Sequence, residues 1–140
     1  MHPAEAGLPV ELAAALDELV PAGAGVTLYA PLTVGNHVDH QLTFAAARLL
    51  AGQGWNVRFY EDYPYVERVE GALAAALAAR GVDHWQPVAV ALDEDDLAAK
   101  IGAIACYGSQ LAVLFGGVEA MGERVRAYMA RVGGERVGPL

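Results

Sequence analysis

Apolar residues at the start of the chain recur at helical spacing. Leu12, Ala15, Leu16 and Leu19 within Pro9 to Val20 predict an amphipathic helix. A breaker cluster, Pro21 to Gly25, ends it. The pattern then shortens to an unbroken apolar run, Gly25 to Ala30, whose Val26, Thr27, Leu28 and Tyr29 suit a buried strand. Pro31 to Asn36 reads as a loop. From His40 onward Leu42, Ala45, Ala46, Leu49 and Leu50 follow the i, i+3, i+4, i+7, i+8 series of a second amphipathic helix, which Gly52 and Gly54 close. Trp55 to Tyr60 predicts a second strand. Strand, helix and strand within about 35 residues make a βαβ unit with parallel strands. Further on, one helix is expected within Pro64 to Gly81, with Val66, Val69, Leu73 and Leu77 on one side. Pro87 to Leu92 predicts a third strand of undefined direction, and Asp93 to Tyr107 and Val118 to Val132 predict helices. Gly116-Gly117 reads as a helix break, and Gly133 to Leu140 as a loose tail.

With no internal repeat and no low-complexity linker beyond alanine-rich helical stretches, the pattern predicts one α/β domain over residues 1–140. A hydrophobic content of 55% supports a folded core. The net charge of −8, with nine scattered cations, argues against nucleic acid or an anionic membrane as partner. No apolar run approaches the roughly 18 residues of a membrane span, and the first ten residues lack a basic segment followed by an apolar block. A single cysteine, Cys106, rules out an internal disulfide. Together these features predict a cytoplasmic protein. Cys106 lies in an apolar helical pattern between Ala105 and Tyr107, which predicts a core position rather than a nucleophile.

Candidate chemistry concentrates in one stretch. Two of the four histidines fall within His37-Val38-Asp39-His40, just after the first strand. Ligands collect at the carboxyl edge of parallel strands. Glu61, Asp62, Tyr63, Pro64 and Tyr65 leave the second strand at that same edge if the two strands are parallel. Tyr60, Tyr63 and Tyr65 could then line a sugar-sized cleft or simply pack. The helix register decides what the imidazoles can do. With Asn36 as N-cap, Asp39 serves the helix end, and His37 and Asp39 point apart. With Asp39 as N-cap, its carboxylate can meet His37, fix its tautomer and suit it to proton donation, while a neutral His40 faces the cleft, free to ligate a metal. Spacing alone favours the plainer reading of polar cap residues at an exposed helix end.

Other polar features have simpler explanations. Asp93 to Asp96 open a helix, where acids cap and complement the dipole. Ser109 is not in a nucleophile elbow. His84 reads as a surface or packing residue, and nothing near Gly116-Gly117 resembles a phosphate-cradling loop. His2-Pro3-Ala4-Glu5 lacks the aspartates and the preceding strand that a metal motif needs.

Gly35-Asn36-His37-Val38-Asp39-His40, followed by Leu42 and Ala45, resembles the H-x-D-H motif of the PIG-L/LmbE family of zinc-dependent de-N-acetylases. Phe59-Tyr60-Glu61-Asp62-Tyr63-Pro64-Tyr65 resembles the segment that follows it in many bacterial members. Lys100, Ala103, Ile104, Tyr107, Ser109 and Gln110 resemble the family's K-x-x-A-I-x-x-Y-x-S-Q pattern, so the likeness runs from about Leu12 to Arg131. The resemblance implies a Rossmann-like three-layer α/β domain with a mostly parallel sheet. It also implies a hydrolase that removes N-acetyl or N-acyl groups from an amino sugar or similar small molecule with zinc-activated water. On that likeness His40 is a zinc ligand, His37 acts on the tetrahedral intermediate or the departing amine, Asp39 orients His37, and the residues from Tyr60 to Tyr65 meet substrate. The chain departs from the family in lacking the first strand with its A-H-P-D-D-E type motif, the source of the other zinc ligands and the aspartate base. The closing segment is also lacking. The expectation is therefore a chain like the C-terminal two-thirds of a member, binding zinc poorly on its own. It is either a deacetylase completed from elsewhere or a non-catalytic remnant serving as a binding or oligomerisation module. A sheet without its first strand exposes an edge, which predicts self-association or a partner chain covering it.

Overall fold

The computed structural model describes residues 5–20 and 25–140. The predicted breaker Pro21 to Gly25 and the His2-Pro3-Ala4-Glu5 echo lie outside these residues except for Gly25 and Glu5. The chain forms two compact units, Met1–Pro87 with Val137–Leu140, and Val88–Arg136.

The first unit holds α1 (Leu8–Leu19), β1 (Thr27–Pro31), α2 (Val38–Gly52), β2 (Asn56–Tyr60), α3 (Tyr65–Arg68) and α4 (Ala72–Ala79). β1 and β2 are parallel, in the register Thr27↔Asn56 to Pro31↔Tyr60, so the expected βαβ unit is present. Its core joins Ala30, Leu32 and Val34 from β1 and the segment after it to Phe44 and Ala47 of α2 and Val57 and Phe59 of β2. The Phe44 and Phe59 rings stand 5.1 Å apart. The predicted loop is thus apolar on alternate residues: Leu32 N–H still donates to Tyr60 O at 3.0 Å, and Leu32 and Val34 point inward. In α1 the buried face is Pro9 and Ala13, with Leu16 partly buried, packing near Ala46 and Leu50. Leu12 and Leu19, expected inside, are exposed. Alanine against alanine lets two helices approach closely, and that contact, not the larger leucines, set the face.

Two expectations fail between Pro64 and Gly81. The single helix is two, because Gly71 at φ 77 breaks it. Val66, Leu73 and Leu77 do pack on the core, while Val69, in the break, is 63% exposed.

The second unit contains β3 (Val88–Val90), α5 (Glu94–Ala105), α6 (Gly108–Phe115) and α7 (Val118–Val132). Leu111, Phe115, Met121, Val125, Tyr128 and Met129 are buried in it. The third strand is shorter than expected and exposed throughout. The acidic run opens α5 as a capping box between Asp93 and Asp96. Cys106 is exposed, not core, because α5 ends at Ala105 and the chain turns there into α6, a helix the pattern did not separate. α6 stops at Gly116, φ 85, the expected break.

The loose tail is instead β4 (Glu135–Gly138). Its end pairs antiparallel with β2, Phe59↔Gly138 and Tyr60↔Val137. β2 thus lies between β1 and the end of β4, and β1 is an edge strand. The sheet is therefore mixed. The molecule has the α/β fold class that the pattern predicts.

Candidate functional site

Because β1 and β2 run parallel, the segments after Pro31 and Tyr60 emerge at one edge of the sheet, the carboxyl edge. They are tied together by one carboxylate. Asp62 is buried; its Oδ2 accepts the Val34 N–H at 3.0 Å, and its Oδ1 lies 2.5 Å from His40 Nδ1. An ionised carboxylate only accepts, so His40 Nδ1 carries the hydrogen and Nε2 is turned away from Asp62. The His40 pKa is raised: the hydrogen bond it donates to Asp62 is the main cause, burial opposes it, and the charges of Asp62 and Asp39 add to it.

The start of α2 takes a register between the two considered from sequence. His37 itself is the N-cap, its Nδ1 accepting the Asp39 N–H at 3.3 Å. Neither Asn36 nor Asp39 takes that place. Asn36 lies at φ 59 and Gly35 at φ 88, so the chain turns left-handed just before the cap. A ring nitrogen substitutes for the usual cap oxygen. While Nδ1 accepts, the neutral His37 ring carries its hydrogen on Nε2. The Asp39 carboxylate stands 3.6 Å from the same Nδ1, and both side chains are more than half exposed.

The imidazoles of His37 and His40 stand 5.5 Å apart between centroids, and Tyr65 meets His40 edge-on at 6.0 Å. Gly35 is required here, since a Cβ would fall 2.6 Å from the Tyr65 ring. The expected neighbours His37, Asp39, His40, Asp62 and Tyr65 thus come together. Glu61 is buried, while Tyr60 and Tyr63 are half-buried. Sequence reasoning missed the Asp62–His40 bond, and it missed Arg80. Arg80 Nε and Nη2 donate to Thr33 Oγ1 at 3.0 and 2.5 Å, and its guanidinium lies 5.5 Å from the Phe44 ring centroid. Thr33 stands at φ 65, unusual for a β-branched residue, on the same loop as Val34. Nothing local in the sequence marks a contact spanning so much chain.

In the second unit, Lys100 forms an ion pair with Glu135, and Ser109 is exposed in α6. His84 is exposed in the first unit. No single helix among the described residues is long and apolar enough to cross a membrane.

A catalytic zinc takes three protein ligands and keeps one open position. Among the described residues no three His, Cys, Asp or Glu side chains are grouped to hold a metal ion. His40 offers one free ring nitrogen, so the residues present do not fit such a centre by themselves.

No family model and no curated protein matches the chain. Its fold is similar to that of teicoplanin deacetylase Orf2, solved in a zinc-inhibited form, with a TM-score of 0.65 at 20% identity over 94% of this chain and 48% of that one. It is also similar to the A40926 pseudoaglycone deacetylase Dbv21, with a TM-score of 0.63 at 23% identity over 94% of this chain and 55% of that one. The chain shares the α/β fold of these two structures. It spans about half the length of these solved structures.

Proposed function

We propose that the chain is the imidazole-bearing part of a PIG-L/LmbE-type N-acyl hydrolase acting in the cytoplasm on an N-acylated amino sugar or similar small molecule. The observation that carries this reading is the Asp62–His40 bond at the carboxyl edge of the sheet, with Asp62 pinned by Val34. A buried carboxylate that fixes the Nδ1 hydrogen of a histidine leaves Nε2 as a basic, aimed lone pair. His40 is this chain's one zinc ligand in the proposal, and the others come from outside the described residues. Zinc, when bound, supplies Lewis acidity. His37, with its hydrogen on Nε2, donates to the developing oxyanion or the departing amine, and Asp39 holds the ring. Asp62 positions His40, while Tyr60, Glu61, Tyr63 and Tyr65 shape the substrate side.

Among the described residues fewer than three metal-binding side chains are grouped, which favours a second reading. In it the chain keeps the fold as a non-catalytic binding or oligomerisation module. Zinc content of the purified protein separates the two. With the segment or partner that supplies the other ligands present, the hydrolase reading expects about one zinc per chain, lost in His40→Ala, with acetate released from N-acetylglucosamine. No zinc and no acetate with zinc added would leave the binding module.

A further inference from the structure

An open cleft of about 410 Å³, large enough for a small organic ligand, lies between the loop after β1 and α4. Thr33 and Asn36 form part of one wall, Ala75, Ala76 and Ala79 of α4 part of the other, and Arg80 lines it as well. Asn36 precedes His37, so an occupant would sit next to the helix cap.

Arg80 has an unusual set of partners. Both of its bonded nitrogens converge on one neutral oxygen, Thr33 Oγ1. Its guanidinium carbon also lies 5.5 Å from the centroid of the Phe44 ring. Among the described residues no carboxylate comes within ion-pair distance of it, although the chain has 17 acidic residues against nine lysines and arginines. A half-buried cation left without a counter-charge is costly. A guanidinium has five N–H donors, and Nη1 with the second Nη2 hydrogen forms a planar edge that suits the two oxygens of a carboxylate. The fork is also held in place, because Thr33 fixes Nε and Nη2.

We propose that this cleft binds a small organic carboxylate, with its acid group on Arg80 and its apolar body against the α4 alanines. A phosphate is the poorer fit: one cation faces it, and the opposite wall offers methyl groups rather than donors. The inference goes beyond the hydrolase reading, and its test reads binding alone, so either can fail without the other.

The test is a titration of the ¹⁵N-labelled full chain with hexanoate, its neutral isostere hexanamide and inorganic phosphate, followed by two-dimensional NMR. Hexanoate is expected to shift the Arg80 side-chain N–H and the Asn36 and Ala76 amides, and to bind about tenfold more tightly than hexanamide. Arg80→Gln is expected to erase that preference, and residual hexanamide shifts at Ala76 would verify that the cleft survives. Equal affinity of the wild type for acid and amide would overturn the proposal, as would hexanoate shifts confined to other residues. Phosphate binding as tight as hexanoate binding would overturn the carboxylate assignment. The wild-type comparison decides even if Arg80→Gln does not fold.

Discussion

At the scale of single residues, the chemistry of the site depends on which nitrogen of each imidazole is occupied. His37 accepts the helix-end N–H at Nδ1 and His40 donates from Nδ1 to Asp62, so in their neutral forms both present Nε2, one as a hydrogen-bond donor and one as a lone pair. The histidines were legible as a pair because they stand three residues apart in a chain poor in histidine. The residue that sets the state of His40 was not, since Asp62 is 22 positions away and reads as one more acid in a polar loop. A pH dependence follows from that bond. The His40 pKa is raised above the ordinary 6.5, so the bond's contribution to stability is complete below that value and fades as pH rises through the folded-state pKa. Asp62→Asn keeps an oxygen for the Val34 N–H and removes the charge facing His40. The stability lost in Asp62→Asn, measured by urea unfolding, is expected to be larger at about pH 6 than at about pH 9. A loss independent of pH over that interval would show that His40 and Asp62 are not coupled through charge.

At the scale of elements, the βαβ unit was readable because its signals are local: a short β-branched run, a helical period, then another apolar run. Elements defined by what lies across from them were not. β4 is Glu-Arg-Val-Gly, with no apolar alternation, and becomes a strand because β2 offers it an edge. The break between α3 and α4 was missed for the opposite reason, since the apolar spacing continues through a glycine whose left-handed backbone interrupts the helix. The entry to β4 makes the packing testable. Gly134 sits at φ 127, and a Cβ there would fall 1.9 Å from the Val90 carbonyl oxygen. Neither backbone can yield cheaply, so Gly134→Ala is expected to cost about 3 kcal/mol. Amide exchange at Val137 and Gly138 should quicken in the variant. Unchanged protection at both would mean that β4 does not depend on this close approach.

At the scale of the molecule, what the sequence could not supply is the surroundings of β1. Among the described residues β1 pairs only with β2 and stands at the sheet edge, and Tyr29 in its centre is 57% exposed. On the preceding helix Leu8, Leu12 and Leu19 lie along one stripe at i, i+4 and i+11, exposed, beside the face that packs on α2. An uncharged edge strand with its hydrogen-bonding groups open is a template for another strand. We propose a second copy of this chain as the occupant, because Thr27–Pro31 carries no charge, and two such edges can meet antiparallel about a two-fold axis despite the net charge of −8. Sedimentation is therefore expected to show a dimer that dissociates on dilution. Tyr29→Lys places like charges across the axis and should weaken the dimer by about tenfold or more without lowering the melting temperature of the monomer. A folded monomer at every concentration would exclude self-pairing, and a dimer indifferent to Tyr29→Lys would place the contact elsewhere than on β1.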